Sequence, residues 1–209
     1  LSMPENLHKL FVISSPSGGG KTSLINKLFE DSRSANFEKS ISDTSRQKRQ
    51  GDLEGKDYYF LSEKDFKDKI KKEEYVEYAT VFGNFYGTSK EEIKTKYNNS
   101  NLILELDWQG AYAVKELFDD AKLIFLVPPS LDDLKQRLIK RNLDSSKEIE
   151  SRLSEAKKEI SKSEMYDYLV LNDDFDKAFE DLSQILFEGI SPIDFNSRAS
   201  KDLIKRLVE

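Results

Sequence analysis

Ile13-Ser14-Ser15-Pro16-Ser17-Gly18-Gly19-Gly20-Lys21-Thr22 is the stretch on which the fold turns. It follows an apolar run, Leu10-Phe11-Val12-Ile13, that reads as a buried strand. It precedes a segment in which Leu24, Ile25, Leu28 and Phe29 share one helix face. Strand, glycine-rich loop, Gly-Lys-Thr and helix together make a phosphate-binding loop. The glycines let main-chain N–H groups turn inward around phosphate oxygens with no Cβ in the way. The start of the helix adds unsatisfied N–H groups and a partial positive charge. Lys21 then supplies a full charge to the outer phosphates, and the Thr22 hydroxyl a ligand for Mg²⁺. Ser15 stands where the usual pattern opens with Gly, and a small residue is expected to make the same turn.

The chain of 209 residues suits one domain with inserted lobes. Its net charge of −6 argues against a nucleic-acid-coating protein. Cysteine is absent, which excludes disulfides and thiolate metal sites. His8 is the single histidine and lies near the start of the chain, so histidine chemistry has no support. No apolar stretch approaches the length of a membrane span, and the segment up to Lys9 is short and polar. The expected setting is therefore cytoplasmic, with no membrane partner.

Strand-like apolar runs recur at Leu10–Ile13, Leu102–Leu106, Leu123–Val127 and Tyr168–Leu171, each followed by a helical pattern. Apolar strands alternating with helices predict an α/β fold, a parallel sheet with helices on both faces. Ser130, three residues before Asp133, predicts the cap of the helix after the third strand. The stretch from Glu38 to Ser100 breaks this rhythm with short aromatic strands and a basic helix, Lys64 to Lys72. It reads as an inserted α+β lobe. A charged segment from Arg137 to Lys162 reads as helix, break, helix. The expected division is a core of 9–37, 102–136 and 157–190, a lobe of 38–101, a helical lid of 137–156, and a tail helix within 191–209.

The lobe narrows the chemistry. Arg46 and Arg49 sit three apart, and guanidinium groups grip phosphate with two parallel hydrogen bonds, which lysine cannot do. Tyr58 and Tyr86 offer phenolic hydroxyls to the same anion. A lobe of this kind facing a phosphate loop implies a pocket for a second phosphorylated molecule.

Seven stretches in order carry a resemblance to a known family. They are Ser-Pro-Ser-Gly-Gly-Gly-Lys-Thr at 15–22, Ser-x-Thr-Ser-Arg-x-x-Arg ending at Arg49, and Gly-x-x-x-Gly-Lys-Asp-Tyr-Tyr-Phe at 51–60. Phe-Gly-Asn-Phe-Tyr-Gly-Thr-Ser at 82–89, Leu-Asp-Trp-Gln-Gly at 106–110, Pro-Pro-Ser at 128–130 and Asn-Asp-Asp at 172–174 complete the series. The chain resembles the guanylate kinases, P-loop nucleoside monophosphate kinases that phosphorylate GMP with ATP and Mg²⁺. The resemblance implies a P-loop NTP-hydrolase-like sheet and ATP bound by Ser15, Pro16, Ser17, Gly18, Gly19, Gly20, Lys21, Thr22 and Ser23, with Asn172 at the adenine. It implies GMP held by Ser42, Arg46, Arg49, Tyr58, Glu77, Tyr86, Thr88, Glu105 and Asp107. Lys21 and the lid arginines Arg137, Arg141 and Arg152 would form the catalytic set. Thr22 would hold the metal, with Glu105 or Asp107 reaching it through water.

The chemistry supports the Glu77 assignment. Guanine presents N1–H and N2–H₂ donors side by side, and a carboxylate offers two acceptors. Adenine presents a lone pair there and leaves the carboxylate unpaired. Two readings stand: a monomeric or homodimeric enzyme making ADP and GDP, and a non-catalytic guanylate-kinase-like module that binds phosphopeptides.

Overall fold

The computed structural model describes residues 8–81, 83–140, 146–194 and 197–209. In chain order the elements begin with β1 (Leu10–Ser14), α1 (Lys21–Glu30), β2 (Phe37–Lys39), β3 (Asp43–Thr44) and β4 (Tyr59–Phe60). Next come α2 (Glu63–Lys71), β5 (Tyr75–Val81), β6 (Asn84–Ser89), α3 (Lys90–Tyr97), β7 (Asn101–Glu105) and α4 (Trp108–Leu117). The chain continues through β8 (Lys122–Val127), α5 (Leu131–Lys140), α6 (Ser146–Ile160), β9 (Tyr168–Leu171), α7 (Phe175–Ser183) and α8 (Arg198–Val208).

The main sheet has the order β2-β7-β1-β8-β9, and every pairing in it is parallel. Its strands β1, β7, β8 and β9 read as largely apolar runs because both faces are covered. On one face Leu10, Val12, Leu102, Leu104, Leu123 and Phe125 pack under α3, α4, the end of α6 and α8. On the other, Phe11, Ile13, Ile103, Ile124 and Val170 pack under α1 and α7. Successive side chains of a strand point to opposite faces, so β1 feeds both cores at once. Each fully buried Leu or Ile in such a layer contributes about 2 kcal/mol. The register sets Ile13 beside Glu105, so the carboxyl ends of β1 and β7 open on the same crevice. Ligands of open α/β sheets bind in that crevice.

The lobe forms a second sheet, β4-β3-β6-β5. Phe66 of α2 is fully buried against it and stacks on Tyr75 and Phe85 at 4.5 and 5.3 Å between ring centroids. Serine hydroxyls cap α5, as its sequence predicts, and α2. Ser130 accepts from the Asp133 N–H at 3.0 Å, and Ser62 from that of Asp65 at 3.1 Å.

Two elements differ from the sequence reading. Glu38 and Lys39, expected in the lobe, belong to β2, the edge strand of the main sheet, paired with β7. Three residues with one apolar side chain carry too little periodicity to declare a strand. The helix α3 was also unread, because only Ile93 and Tyr97 of its residues are apolar. Its signal is the capping pattern Ser89-x-x-Glu92, in which the Ser89 hydroxyl accepts from the Glu92 N–H at 3.1 Å. At the other end of the chain, Leu207 of α8 is buried and Leu203 and Ile204 rest on the same core.

Candidate active site

The loop between β1 and α1 is held from three sides. Internally, the Gly19 N–H donates to the Pro16 carbonyl at 2.8 Å. From β9, Asn172 donates its side-chain amide to the Gly19 carbonyl at 2.6 Å. From α5, Leu138 and Leu134 pack so close to Gly18 that a Cβ there would lie 3.0 and 3.2 Å from them. Gly18 and Gly20 have φ of 87° and 91°, a region that side chains resist. Ser15 needs no such φ, which explains how it replaces glycine; its hydroxyl donates to the Pro16 carbonyl at 3.1 Å. Ser17 is exposed at the tip, and Thr22 and Ser23 are exposed on the first turn of α1.

Gly20 caps α1 with no side-chain hydrogen bond, which leaves the helix N–H groups for a ligand. A Cβ at Gly20 would sit 2.4 Å from the Asn172 amide nitrogen. Gly20→Ala is therefore expected to part Asn172 from Gly19 and to lower stability by about 2 kcal/mol, read from urea unfolding. Asn172 is 4% exposed, with its side-chain amide engaged by the loop.

Lys21 and Thr22 meet the end of β7. The Lys21 ammonium donates to the Leu106 carbonyl at 3.2 Å. Burial lowers its pKa, while the negative charges of Glu105, Glu159 and Asp107 oppose the shift. The Thr22 hydroxyl donates to Glu105 Oε1 at 2.6 Å, and the Lys39 ammonium holds Glu105 Oε2 at 2.7 Å. Burial works against the charge on Glu105. The ammoniums of Lys39 and Lys21 and the hydrogen bonds outweigh it and keep this carboxyl below the usual range. Asp107, just past the strand, caps α4 by accepting from the Gly110 N–H at 2.9 Å.

Across a cleft of about 370 Å³ stand Ser42, Tyr58 and Thr88 of the lobe, facing Lys21, Thr22, Lys39 and Glu105. Glu77 accepts from the Thr88 hydroxyl at 2.7 Å, and Thr88 lies 3.5 Å from the Ser42 hydroxyl. Burial pushes the Glu77 carboxyl up, with Asp107 adding to the rise and Thr88 opposing it. Gly110 permits this arrangement, since a Cβ there would lie 3.1 Å from Glu77 Cγ.

The guanidinium of Arg46 lies 5.5 Å from the Tyr58 ring centroid, and Tyr58 packs edge-on to Tyr86 at 5.7 Å. Arg46 is paired with Asp52 at 2.9 Å. The Arg49 N–H and the Arg46 guanidinium hold Asp52 below the usual carboxylate range. Arg49 itself is exposed beside them.

From the helical segment, Arg137 donates to the Asn172 carbonyl at 2.7 Å and Arg152 to the Ser17 hydroxyl at 3.0 Å. Arg152 thus reaches the phosphate loop, and Arg137 the Asn172 residue that holds it. Arg141 lies outside the described residues.

Sequence reading missed three members of the site. Lys39 belongs to no motif. Asp52 sat unremarked between the glycines of the 51–60 stretch. Glu159 is seven residues beyond Arg152 on α6, hence on the same helix face, and that spacing was the available signal. Burial pushes Glu159 up to about 7, with Lys21 drawing it back.

A glycine-rich loop after the first strand of a parallel sheet, a lysine and a threonine at the helix start, and a carboxylate from the adjacent strand define a P-loop nucleotide-binding α/β protein. Comparison with known proteins narrows the class. The sequence profile of the guanylate kinase family matches residues 7–189. A guanylate kinase of Wolbachia sp. subsp. Brugia malayi is 46% identical over 184 residues, which is 87% of this chain and 93% of that protein. One from Hahella chejuensis is 47% identical over 178 residues, 85% of each chain. The crystal structure of guanylate kinase from Anaplasma phagocytophilum is 32% identical, with a TM-score of 0.67 over 100% of both chains. The chain belongs to the guanylate kinase family.

Proposed function

We propose that this chain transfers the γ-phosphoryl group of ATP to GMP, giving ADP and GDP. The observation that carries the reading is the cleft itself, with Lys21 and Thr22 of the phosphate loop on one wall, Ser42 and Thr88 on the other, and Glu77 bonded to Thr88 behind that wall. A GMP phosphate oxygen attacks the γ-phosphorus, and the bond to the β-phosphate oxygen breaks. No side-chain nucleophile is needed. The protein's task is to neutralise charge and hold two nucleotides in line.

In this reading the loop from Ser15 to Ser23 cradles the triphosphate, with Lys21 on its outer phosphates. Arg46, Arg49, Tyr58 and Tyr86 take the GMP phosphate, and Asp52 keeps Arg46 in place until it arrives. Glu77 receives the guanine edge, supported by Ser42, Thr88 and Asp107. Arg137, Arg141 and Arg152 belong to a lid that brings positive charge over the ATP.

The donor set suits Mg²⁺. Thr22 donates its hydroxyl hydrogen bond to Glu105 and so leaves its oxygen lone pairs for a cation. No cluster of three or more acidic or histidine ligands occurs among the described residues. Mg²⁺ keeps waters and needs few protein ligands when a nucleotide carries it. Thr22 would hold it, with Glu105 nearby, and it would neutralise phosphate charge there. Among the described residues no helix is long and apolar enough to cross a membrane; the proposed setting is the cytoplasm, where both nucleotides occur. Lys21 and Arg152 on the phosphate loop favour the enzyme over a phosphopeptide module.

A coupled assay of ADP release with GMP, AMP, CMP and UMP tests the proposal. Turnover with GMP alone is expected; turnover with AMP and none with GMP would refute it. Arg46→Ala is expected to weaken GMP binding roughly 10- to 100-fold, the value of a charged hydrogen bond. Calorimetry showing unchanged GMP affinity in that variant would remove Arg46 from the pocket.

A further inference from the structure

Lys39 is a charged group bonded to Glu105 in the cleft, and the proposed reaction gives it no task. It projects from the edge strand β2, where it is in register with Ile103 of β7. Neighbours in register share a face, and so do residues two apart on one strand, so Lys39 and Glu105 lie on the same side of the sheet. The ammonium takes one Glu105 oxygen at 2.7 Å while the Thr22 hydroxyl takes the other at 2.6 Å. The Lys39 main chain is fixed in turn, since its carbonyl accepts from the Lys96 ammonium at 2.8 Å. Lys39 lines the same cleft as Lys21 and Thr22.

We propose that Lys39 is a positioning residue that sorts cations by what they carry, turning Glu105 onto Thr22 and admitting a divalent metal bound to nucleotide while repelling the bare ion. The inference rests on the assignment of Thr22 and Glu105 to the metal–triphosphate end of the site. Its physical basis is a reversal of sign. A free divalent cation brought to the Thr22 hydroxyl meets the Lys39 and Lys21 ammoniums with like charge, against the one Glu105 carboxylate that both ammoniums already act on. The same metal on a triphosphate arrives as a net anion and is attracted by both. In a partly desolvated cleft such interactions are weakly screened.

The test is Mn²⁺ binding to the full chain, followed by electron paramagnetic resonance, without nucleotide and with a non-hydrolysable ATP analogue. Wild-type protein is expected to bind no Mn²⁺ at micromolar concentration without nucleotide. Lys39→Met is expected to bind bare Mn²⁺ about tenfold tighter or more, and the Mn²⁺–nucleotide complex more weakly. Lys39→Arg keeps the charge and is expected to behave as wild type. A merely structural lysine would not produce opposite shifts for the two ligands. Micromolar binding of bare Mn²⁺ by the wild type overturns the proposal without any variant, and so does a Lys39→Met protein in which both affinities move the same way or neither moves. Opposite shifts in a chain that fails to phosphorylate GMP would leave the Lys39 assignment standing and remove the catalytic reading alone.

Discussion

Lys21→Ala is expected to lower kcat by about 10³-fold, the cost of removing one preorganised donor from a site of developing charge, with no fall in the unfolding temperature. The two effects have one cause. The ammonium is held in a partly desolvated place, against the Leu106 carbonyl and between Glu105 and Glu159. Burial lowers its pKa, so the folded chain carries this charge at a cost. That cost is full below the folded-state pKa and fades as pH rises through it towards the ordinary lysine value. Alanine relieves the cost, and Glu105 keeps Lys39 and Thr22 as partners. Steady-state kinetics and thermal unfolding of the same preparation check both halves. A variant that loses activity only because it unfolds would deny Lys21 the role given to it.

The second large effect belongs to the base. Glu77→Gln is expected to lower kcat/KM for GMP by about 100-fold, the roughly 2–3 kcal/mol of a charge-assisted hydrogen bond plus the clash of two donors. The amide can still accept from Thr88, so the fold is expected to survive. Selectivity for GMP over AMP should shrink by a similar factor, because neither base then meets two acceptors. A pH signature accompanies the change. Burial raises the Glu77 carboxyl, so acidification protonates it before an ordinary carboxyl, and GMP affinity falls as the acceptor is lost. The Gln variant does not titrate. The GMP phosphate titrates in both proteins, so the difference between their pH profiles isolates Glu77. Parallel profiles would place the base elsewhere.

Much of this was legible in the residues because local rules and global packing agree. The β1 run, the glycines and Gly20-Lys21-Thr22 each point to the same strand, loop and helix, and all five residues of β1 are buried as that reading requires. The parallel sheet followed from apolar runs separated by helical patterns. The missing parts share a physical reason. The strand β2 owes its place to pairing with β7, a long-range contact that leaves no periodic trace in three residues. Asn172 takes its expected place at the adenine from the family pattern, and only folding brings it from the end of β9 to the Gly19 carbonyl, 153 residues away. Lys39 and Glu105 are 66 residues apart, and neither predicts the other. Glu77 drew its role from the family pattern, since one carboxylate on a short strand has no chemistry of its own until Thr88 and Gly110 enclose it.

The most direct measurement is a structure of crystals soaked with GMP and a non-hydrolysable ATP analogue together. The guanine edge should lie on the Glu77 carboxylate, the monophosphate against Arg46, Arg49, Tyr58 and Tyr86, and the triphosphate along Gly18 to Thr22. A base turned away from Glu77, or a monophosphate lodged anywhere but among those arginines, would contradict the two-cradle site.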